Sequence, residues 1–194
     1  MSEHLESLGK TLEYLNPLTP EGRNDFLDIW SEYRVKRKDI ITAAGEVEKY
    51  LYFVTDGVQR IVYQDDQNRE STLVFSYAPS FGGSISSFFL QKPSAYTYEA
   101  LTPSAFLRAP FEAVNTCMQK HLCISEVIRI GITQAFSGLL ERMVELQCYS
   151  SEEKFRQLLN RSPHILTLVP HKYLANYLGI DPTNFSKLIN SVRI

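Results

Sequence analysis

The sequence predicts an α+β protein with three consecutive parts: an antiparallel β-barrel, a long helix and a terminal pair of short helices. Three changes of pattern support this fold class. Short β-rich pieces alternate with turn sequences about every ten residues after Tyr33. Apolar residues then recur at every third or fourth position over residues 111–149, and two amphipathic segments meet at Gly179. We expect the three parts to span residues 1–110, 111–150 and 151–194.

The barrel region is preceded by a helical segment that Pro17 and Pro20 interrupt. Its strand-like pieces are separated by the turn sequences AAGE, TDG and DDQN, a spacing that favours an antiparallel sandwich or barrel. Gly45 and Gly57 suit turn positions that require a positive φ. The Asp56-Gly57 dipeptide between YLYFV and VQRIVY predicts a tight β-hairpin.

Composition restricts the class of protein. The chain has 194 residues, of which 44% are hydrophobic and 22% charged, so it can bury a core and is not disordered throughout. No run approaches the roughly 20 uninterrupted apolar residues of a membrane helix, and the N-terminus lacks a signal-peptide pattern. We therefore expect a cytoplasmic protein with no membrane association. The odd number of cysteines predicts reduced thiols: Cys117, Cys123 and Cys148.

The long helix carries two neighbouring apolar stripes. The first is our candidate dimer interface and contains Ile128, Ile132, Ala135, Leu139, Met143 and Leu146. The second contains Phe136, Leu140 and Val144, and the intervening positions, including Arg142 and Glu145, are polar. A single barrel can cover only one stripe. The other stripe either packs inside the chain or binds the same helix of a second copy.

The terminal pair of helices has the pattern of a DNA-reading hairpin. Gly179 provides the turn, Asp181 can cap the second helix, and Pro182 suits its first turn. The outward positions of the second helix are small, polar or basic: Thr183, Asn184, Ser186, Lys187 and Asn190. Hydroxyls, amides and a cation are the groups that contact base edges and phosphates in a major groove. The alternative is a polar face that only contacts water.

The distribution of charge also indicates that the C-terminal segment is the part that contacts DNA. The formal net charge is −2, yet residues 151–194 hold 6 basic and 3 acidic side chains. We expect base contacts from Thr183, Asn184, Ser186 and Lys187. Phosphate contacts are expected from His171, Lys172 and Asn190.

In this order the segments resemble the cyclic AMP receptor/fumarate-nitrate regulator (Crp/Fnr) family of transcription factors over nearly the whole chain. The resemblance rests on AAGEVEKYLYFVTDGVQRIVY, on the long helix and on PHKYLANYLGIDPTNFSKL, which is similar to forms found among Bacteroidetes members. It implies a jelly-roll barrel of the cyclic-nucleotide-binding kind, a dimerisation helix and a helix-turn-helix. It also implies a homodimer that binds double-stranded DNA, responds to a small-molecule effector and contacts RNA polymerase.

The phosphate-binding cassette departs from the family pattern. Members that bind cyclic nucleotides carry Gly-Glu followed ten residues later by Arg-Ser, whereas this chain reads FGGSISSFFLQKPSAYTYEAL. Alignment on Gly83, which follows Gly82, puts Ser84 in the glutamate position and Ser94 and Ala95 in the arginine and serine positions. Loss of the arginine removes charge-assisted hydrogen bonds worth about 1.5–3 kcal/mol each. The cassette is therefore a degenerate effector pocket in which we expect no cofactor and no cyclic AMP bound in the usual way. Two alternatives stay open: the glycines still hold another small effector, or they persist only because the turn needs them.

Two other classes of function are alternatives to a DNA-binding regulator. A cupin-like metalloenzyme would need histidine ligands on the barrel strands, but none lies between residues 5 and 120. The chain has four histidines: His4, His121, His164 and His171. We therefore expect no enzyme, no catalytic residues and no metal. The remaining alternative is a sensor or protein-interaction module of the same fold that has lost DNA binding, which the weak positive charge favours.

Overall fold

The computed structural model describes residues 3–191. Two helices come first, α1 (Glu3–Leu15) and α2 (Pro20–Asp28), and they confirm the interruption expected at Pro17 and Pro20. The hydroxyl of Thr19 accepts the Gly22 N–H at 3.2 Å and caps α2.

The barrel consists of two four-stranded antiparallel sheets within the described part of the chain, in the orders β1-β8-β3-β6 and β2-β7-β4-β5. The strands are β1 (Ser31–Val35), β2 (Ile40–Thr42), β3 (Tyr50–Asp56), β4 (Val58–Gln64), β5 (Glu70–Tyr77), β6 (Ser80–Gly82), β7 (Thr97–Ala100) and β8 (Ser104–Pro110). A short helix, α3 (Ile85–Leu90), lies between β6 and β7. The predicted α+β fold with an antiparallel jelly-roll barrel is confirmed.

The Asp56-Gly57 turn does not form the predicted hairpin. Gly57 has the expected positive φ of 81°, but β3 pairs with β6 and β8, whereas β4 pairs with β5 and β7. The turn therefore carries the chain from one sheet to the other. A Cβ on Gly57 would lie 2.4 Å from the Pro103 carbonyl oxygen, so this crossing also requires glycine for space. The local backbone was predicted correctly, and the pairing partners were not.

The barrel region has two apolar interiors, one on each face of β3. Tyr52 and Val54 point between the sheets, where they meet Tyr98 and Phe106. Phe53 points to the opposite face, where α1, α2 and the helices after β8 cover the sheet. β3 is therefore buried on both faces, which explains its unbroken apolar sequence.

The segment predicted as one helix after β8 is two helices, α4 (Phe111–Lys120) and α5 (Leu122–Cys148). His121 separates them with an extended backbone, φ −124° and ψ 107°. Its Nε2 atom lies 2.8 Å from Asp25 Oδ2 of α2, so a tertiary contact holds the break. The sequence did not predict this break, because the segments on both sides of it are amphipathic helices with the same spacing of apolar residues.

The C-terminal part contains α6 (Ser151–Arg161), α7 (Ile165–Leu168), α8 (His171–Leu178) and α9 (Pro182–Ser191). Ser150 and Glu153 form a capping box at the start of α6. Phe155, Leu174 and Phe185 from three of these helices meet in one buried cluster, which extends to Val58 and Leu101 of the barrel. The C-terminal helices therefore pack on the barrel as well as on each other.

Candidate effector pocket and nucleic-acid interface

The cassette positions singled out in the sequence lie together. The hydroxyl oxygens of Ser84 and Ser94 are 2.9 Å apart, and both residues are buried. Ser94 also donates to the Tyr96 carbonyl at 2.8 Å, while Ala95 is exposed. The two positions that hold charged anchors in nucleotide-binding relatives are thus occupied by a pair of neutral hydroxyls that bond to each other.

A buried carboxylate beside the cassette was missed in the sequence. The Glu48 carboxylate accepts the Thr42 hydroxyl at 2.6 Å and two backbone N–H groups, Tyr50 at 3.3 Å and Ser84 at 3.4 Å. Burial raises the pKa of Glu48 although these hydrogen bonds oppose the shift. In the sequence Glu48 stands between Val47 and Lys49, with Glu46 two positions before it, and this charged stretch gives no sign of a buried carboxylate.

The cassette glycines are packed against tyrosine side chains. A Cβ on Gly82 would lie 2.3 Å from the Tyr98 hydroxyl oxygen, and Gly83 has a φ of 99° with Tyr52 in contact. Tyr98 is fully buried and its hydroxyl lies 3.1 Å from that of Ser76. Burial raises the pKa of Tyr98, so the phenol stays neutral. Both glycines are explained by this packing without a ligand.

The residues of the cassette do not fit a cyclic nucleotide. No cationic side chain stands at positions 84, 94 or 95 to bind a phosphate, and Lys92 is exposed. The adjoining interior is filled by Tyr52, Tyr98 and Glu48, whose carboxylate would repel an anion.

The terminal hairpin has the predicted helix-turn-helix geometry. Gly179 ends α8 in the left-handed conformation with φ 63°. The Asp181 carboxylate caps α9 by accepting the N–H groups of Thr183 at 2.8 Å and Asn184 at 3.2 Å. Phe185 then points inward onto Phe155 with ring centroids 5.5 Å apart. The opposite face of α9 is thereby fixed toward solvent.

Every residue that we expected at the DNA interface is exposed: His171, Lys172, Thr183, Asn184, Ser186, Lys187 and Asn190. Two of them bond to their own helix, since Ser186 donates to the Pro182 carbonyl and Asn190 to the Ser186 carbonyl, both at 3.0 Å. Lys172 lies over the Tyr173 ring at 4.6 Å. No acidic residue occurs within α9.

The middle of α5 exposes both apolar stripes to solvent. From the first stripe Ile132, Ala135, Leu139, Met143 and Leu146 are exposed, and from the second Phe136, Leu140 and Val144. Ile128 is the exception: it is 8% exposed and belongs to the core that covers the outer sheet, so its assignment to the dimer interface is wrong. The first turns of α5 pack against the N-terminal helices and the sheet, which a helical period alone cannot reveal.

By length and composition α5 could also cross a membrane, contrary to the expectation that no segment would qualify. Both of its ends are engaged with protein. Ile124 and Val127 lie in the core between the N-terminal helices and the sheet, and Arg142 and Glu145 form a buried ion pair. The exposed apolar middle is more simply explained as a surface for another helix.

Arg142 and Glu145, described from the sequence only as polar positions of the helix, form a buried network at the end of α5. Arg142 donates to Glu145 at 2.9 Å and to the Tyr177 carbonyl, and its guanidinium lies 4.0 Å over the Tyr177 ring. Arg161 donates to the same carboxylate at 3.0 Å. Burial alone would raise the pKa of Glu145, but the two arginines hold it below its ordinary value. The network joins α5 to α6 and α8.

A second set of contacts, separate from the network around Glu145, links α8 to the barrel. The Asn176 side chain accepts the Thr72 N–H at 2.6 Å and donates to the Glu70 carbonyl at 2.8 Å, both on β5 at the edge of its sheet. Nearby, the guanidinium of Arg60 in β4 lies 4.4 Å over the Tyr173 ring of α8. The helix-turn-helix is thus held against an otherwise unpaired strand edge.

One group of possible metal ligands, Glu21, Asp25 and His121, comes together among the described residues. The Lys120 ammonium lies 2.6 Å from the Asp25 carboxylate and 3.4 Å from that of Glu21. It supplies the positive charge that these carboxylates require.

The described residues thus combine an antiparallel β-barrel, a long helix and a helix-turn-helix in this order. Residues 32–121 match the family model of the cyclic nucleotide-binding domain. This part of the chain is therefore similar to cyclic nucleotide-binding domains, and the fold of the chain is the one found in solved structures of Crp/Fnr regulators. A comparison with curated proteins finds no match.

Several solved structures share the fold. FixK2 from Bradyrhizobium japonicum is 13% identical with a TM-score of 0.75, and the match covers 84% of this chain and 83% of that one. A putative Crp/Fnr-family transcriptional regulator from Eubacterium rectale is 19% identical with a TM-score of 0.70 over 93% and 86%. The catabolite activator protein of Thermus thermophilus is 19% identical with a TM-score of 0.58 over 93% and 85%.

Proposed function

We propose that this protein is a homodimeric transcription regulator that binds double-stranded DNA through α8 and α9 and does not act as an enzyme. The observation that carries the proposal is the outer face of α9. It is exposed, free of carboxylates and supported from behind by the contact of Phe185 with Phe155. Such a helix presents amides, hydroxyls and one cation to a major groove.

The dimer follows from the exposed stripes of α5. Leu139, Met143 and Leu146 lie exposed on one face with Phe136 and Leu140 beside them, and contiguous exposed apolar residues of this kind mark interaction surfaces. Pairing two copies of α5 would cover it and bring two α9 helices to one side of the assembly. A twofold operator requires recognition helices about 34 Å apart.

We further propose that the barrel does not bind cyclic AMP in the usual manner. The support is the neutral Ser84–Ser94 contact and the filling of the adjoining interior by Tyr98. A regulator that acts on DNA would reside in the cytoplasm, and contact with RNA polymerase is part of the same proposal.

The test is fluorescence anisotropy with labelled fragments of the source genome over a series of salt concentrations. We expect an affinity that falls steeply with salt, because phosphate contacts release counterions. The affinity should also differ between DNA sequences, because contacts to the bases distinguish one sequence from another. Equal, weak binding to all fragments at low salt would instead support the sensor or interaction module without DNA binding.

A further inference from the structure

A cavity lies where the barrel meets the helix-turn-helix. Its volume is about 440 Å³, within the usual range for small-molecule sites. One wall is the β7–β8 turn, residues 101–103, and the opposite wall is α7 with the residues that lead into α8, ending at His171. Arg37 completes the lining. The walls are mostly apolar, with Leu101, Leu166 and Val169 among them.

A smaller cavity of about 190 Å³ adjoins it and shares Arg37 and Leu101. Its walls are polar and include Lys38 together with the ion pairs that Arg60 makes. Arg60 Nη2 lies 2.6 Å from Glu70 and Nε lies 2.5 Å from Glu99, so one guanidinium serves both carboxylates. The two cavities together form a groove with an apolar end and a charged end, and Arg37 stands between them.

The charged end has cations without protein partners. Among residues 3–191, no hydrogen bond or ion pair engages the side chain of Arg37 or Lys38. The lining of the polar cavity has two carboxylates and three cations, so it carries one net positive charge. The carboxylates belong to Glu70 and Glu99, and the cations are Arg37, Lys38 and Arg60. An unpaired arginine beside an apolar cavity suits a ligand that brings its own carboxylate, because the guanidinium binds carboxylates with two parallel hydrogen bonds.

We propose that this groove binds a small amphipathic carboxylic acid, with the carboxylate at Arg37 and a hydrocarbon chain between the β7–β8 turn and α7. The proposal goes beyond DNA binding, since it moves the effector site from the filled cassette to the joint between the two units. A ligand there touches the barrel through Leu101 and the DNA-binding part through Val169. It therefore binds best to one relative position of the two units.

Octanoate and decanoate are suitable probes, and isothermal titration calorimetry on the full chain without DNA is the measurement. We expect saturable binding that tightens about three- to four-fold for each methylene that enters the cavity. Octanol, which has the same chain and no carboxylate, should bind at least about ten-fold more weakly than octanoate. Equal binding of octanol and octanoate would overturn the proposal.

Two variants locate the site. Arg37→Glu should weaken decanoate binding at least about ten-fold, because it replaces the anchoring cation with a like charge. Lys36→Glu makes the same change of charge one position away, outside the lining of both cavities, and should bind as the native protein does. Equal affinities of the two variants would mean that decanoate binds elsewhere, for example on the exposed stripes of α5, and the proposal would be wrong.

A third variant separates packing from charge. Leu168→Trp adds bulk at an exposed position of the cavity wall and should reduce decanoate binding while leaving the thermal midpoint nearly unchanged. If Leu168→Trp and Arg37→Glu each bound decanoate as tightly as the native protein, the proposed location of the binding site would be wrong. Because these titrations contain no DNA, failure to find an operator leaves their result unaffected, and a lack of decanoate binding leaves the DNA proposal standing.

Discussion

The hydroxyls of Ser84 and Ser94 share a hydrogen bond of 2.9 Å, in the two positions that the alignment on Gly83 assigns to the glutamate and the arginine of the cassette pattern. A neutral pair of this kind cannot replace the contacts of an arginine with a phosphate, which are worth about 1.5–3 kcal/mol each. The packing of Tyr98 against Gly82 removes the adjoining space as well.

We therefore expect no heat of binding when the protein is titrated with cyclic AMP at micromolar concentrations by isothermal calorimetry. Cyclic GMP should behave in the same way, because the missing cation would contact the phosphate that the two nucleotides share. Saturable micromolar binding of either nucleotide would show that the cassette opens in solution.

Substitution of Leu139 by glutamate should convert the dimer to monomer. The residue is 49% exposed in the single chain, so its replacement should not disturb folding, but a carboxylate would be buried unpaired in the interface. We expect the dissociation constant of the dimer to rise at least about 100-fold, corresponding to roughly 3 kcal/mol. Sedimentation equilibrium measures this change.

Gln134→Glu is the matched control for that experiment. Gln134 is exposed on the side of α5 away from the apolar stripes, and the substitution adds the same charge. It should leave the association unchanged. If both variants remained dimeric, the interface would have to lie somewhere other than α5.

Lys187→Ala should weaken operator binding by about 1–3 kcal/mol, because the side chain projects from the exposed face of α9 and has no partner among the described residues. If Lys187 contacts a base, sequence discrimination should relax at one position of the site. If it contacts a phosphate, the salt slope should fall by about one instead. Lys10→Ala, on α1, provides the control, and identical affinities of the two variants would contradict the assigned DNA face.

Loss of the Glu145 carboxylate should destabilise the joint between α5 and the C-terminal helices. Glu145→Leu leaves the buried Arg142 without its partner, which costs about 3–5 kcal/mol. Urea denaturation measures the loss, and hydrogen exchange in α8 should accelerate. Glu152→Leu breaks the exposed ion pair with Arg156 and should cost no more than about 1 kcal/mol. Similar losses for the two variants would argue against a buried network.

Glu48 should make stability depend on pH in a defined direction. Because burial raises its pKa above the ordinary 4.5, the folded protein keeps this proton where the unfolded chain has lost it. The free energy of unfolding should therefore fall as the pH rises from 4.5 through the folded pKa, with a slope of at most about 1.4 kcal/mol per pH unit.

Urea denaturation of the native protein and of Glu48→Gln over pH 4–8 isolates this contribution. The difference between the two free energies should change with pH over the stated window and become constant above it. Glu32→Gln, at an exposed position on β1, should give a difference that does not follow this course. A constant difference for Glu48→Gln would mean that the carboxylate is ionised without penalty.

Local signals predicted the terminal hairpin well. Gly179 and Asp181 act locally, because Gly179 adopts a positive φ and the Asp181 carboxylate caps the turn that follows it, so a few residues suffice to predict both. The exposed side of α9 followed from the same short pattern.

Features that depend on distant partners were beyond the reach of the sequence. The Asp56-Gly57 turn has the expected backbone, but which strands pair across it depends on β7 and β8, more than 35 residues away. Arg142 and Glu145 are polar, and nothing in the helical pattern indicates that Tyr177 and Arg161 of later helices bury them. Glu48 is buried only because α3 and β2 close around it. In each case a contact far along the chain overrides the local pattern.

The two anchored ends of α5 have a mechanical consequence. The helix has 27 residues, so its axis extends about 40 Å, with Ile124 held in the core between the N-terminal helices and the sheet and Glu145 held by Arg161. A tilt of only about 5° at the first end would displace the far end by about 3.5 Å. Small rearrangements of the side chains around Ile124 would therefore become much larger displacements where α5 meets α6.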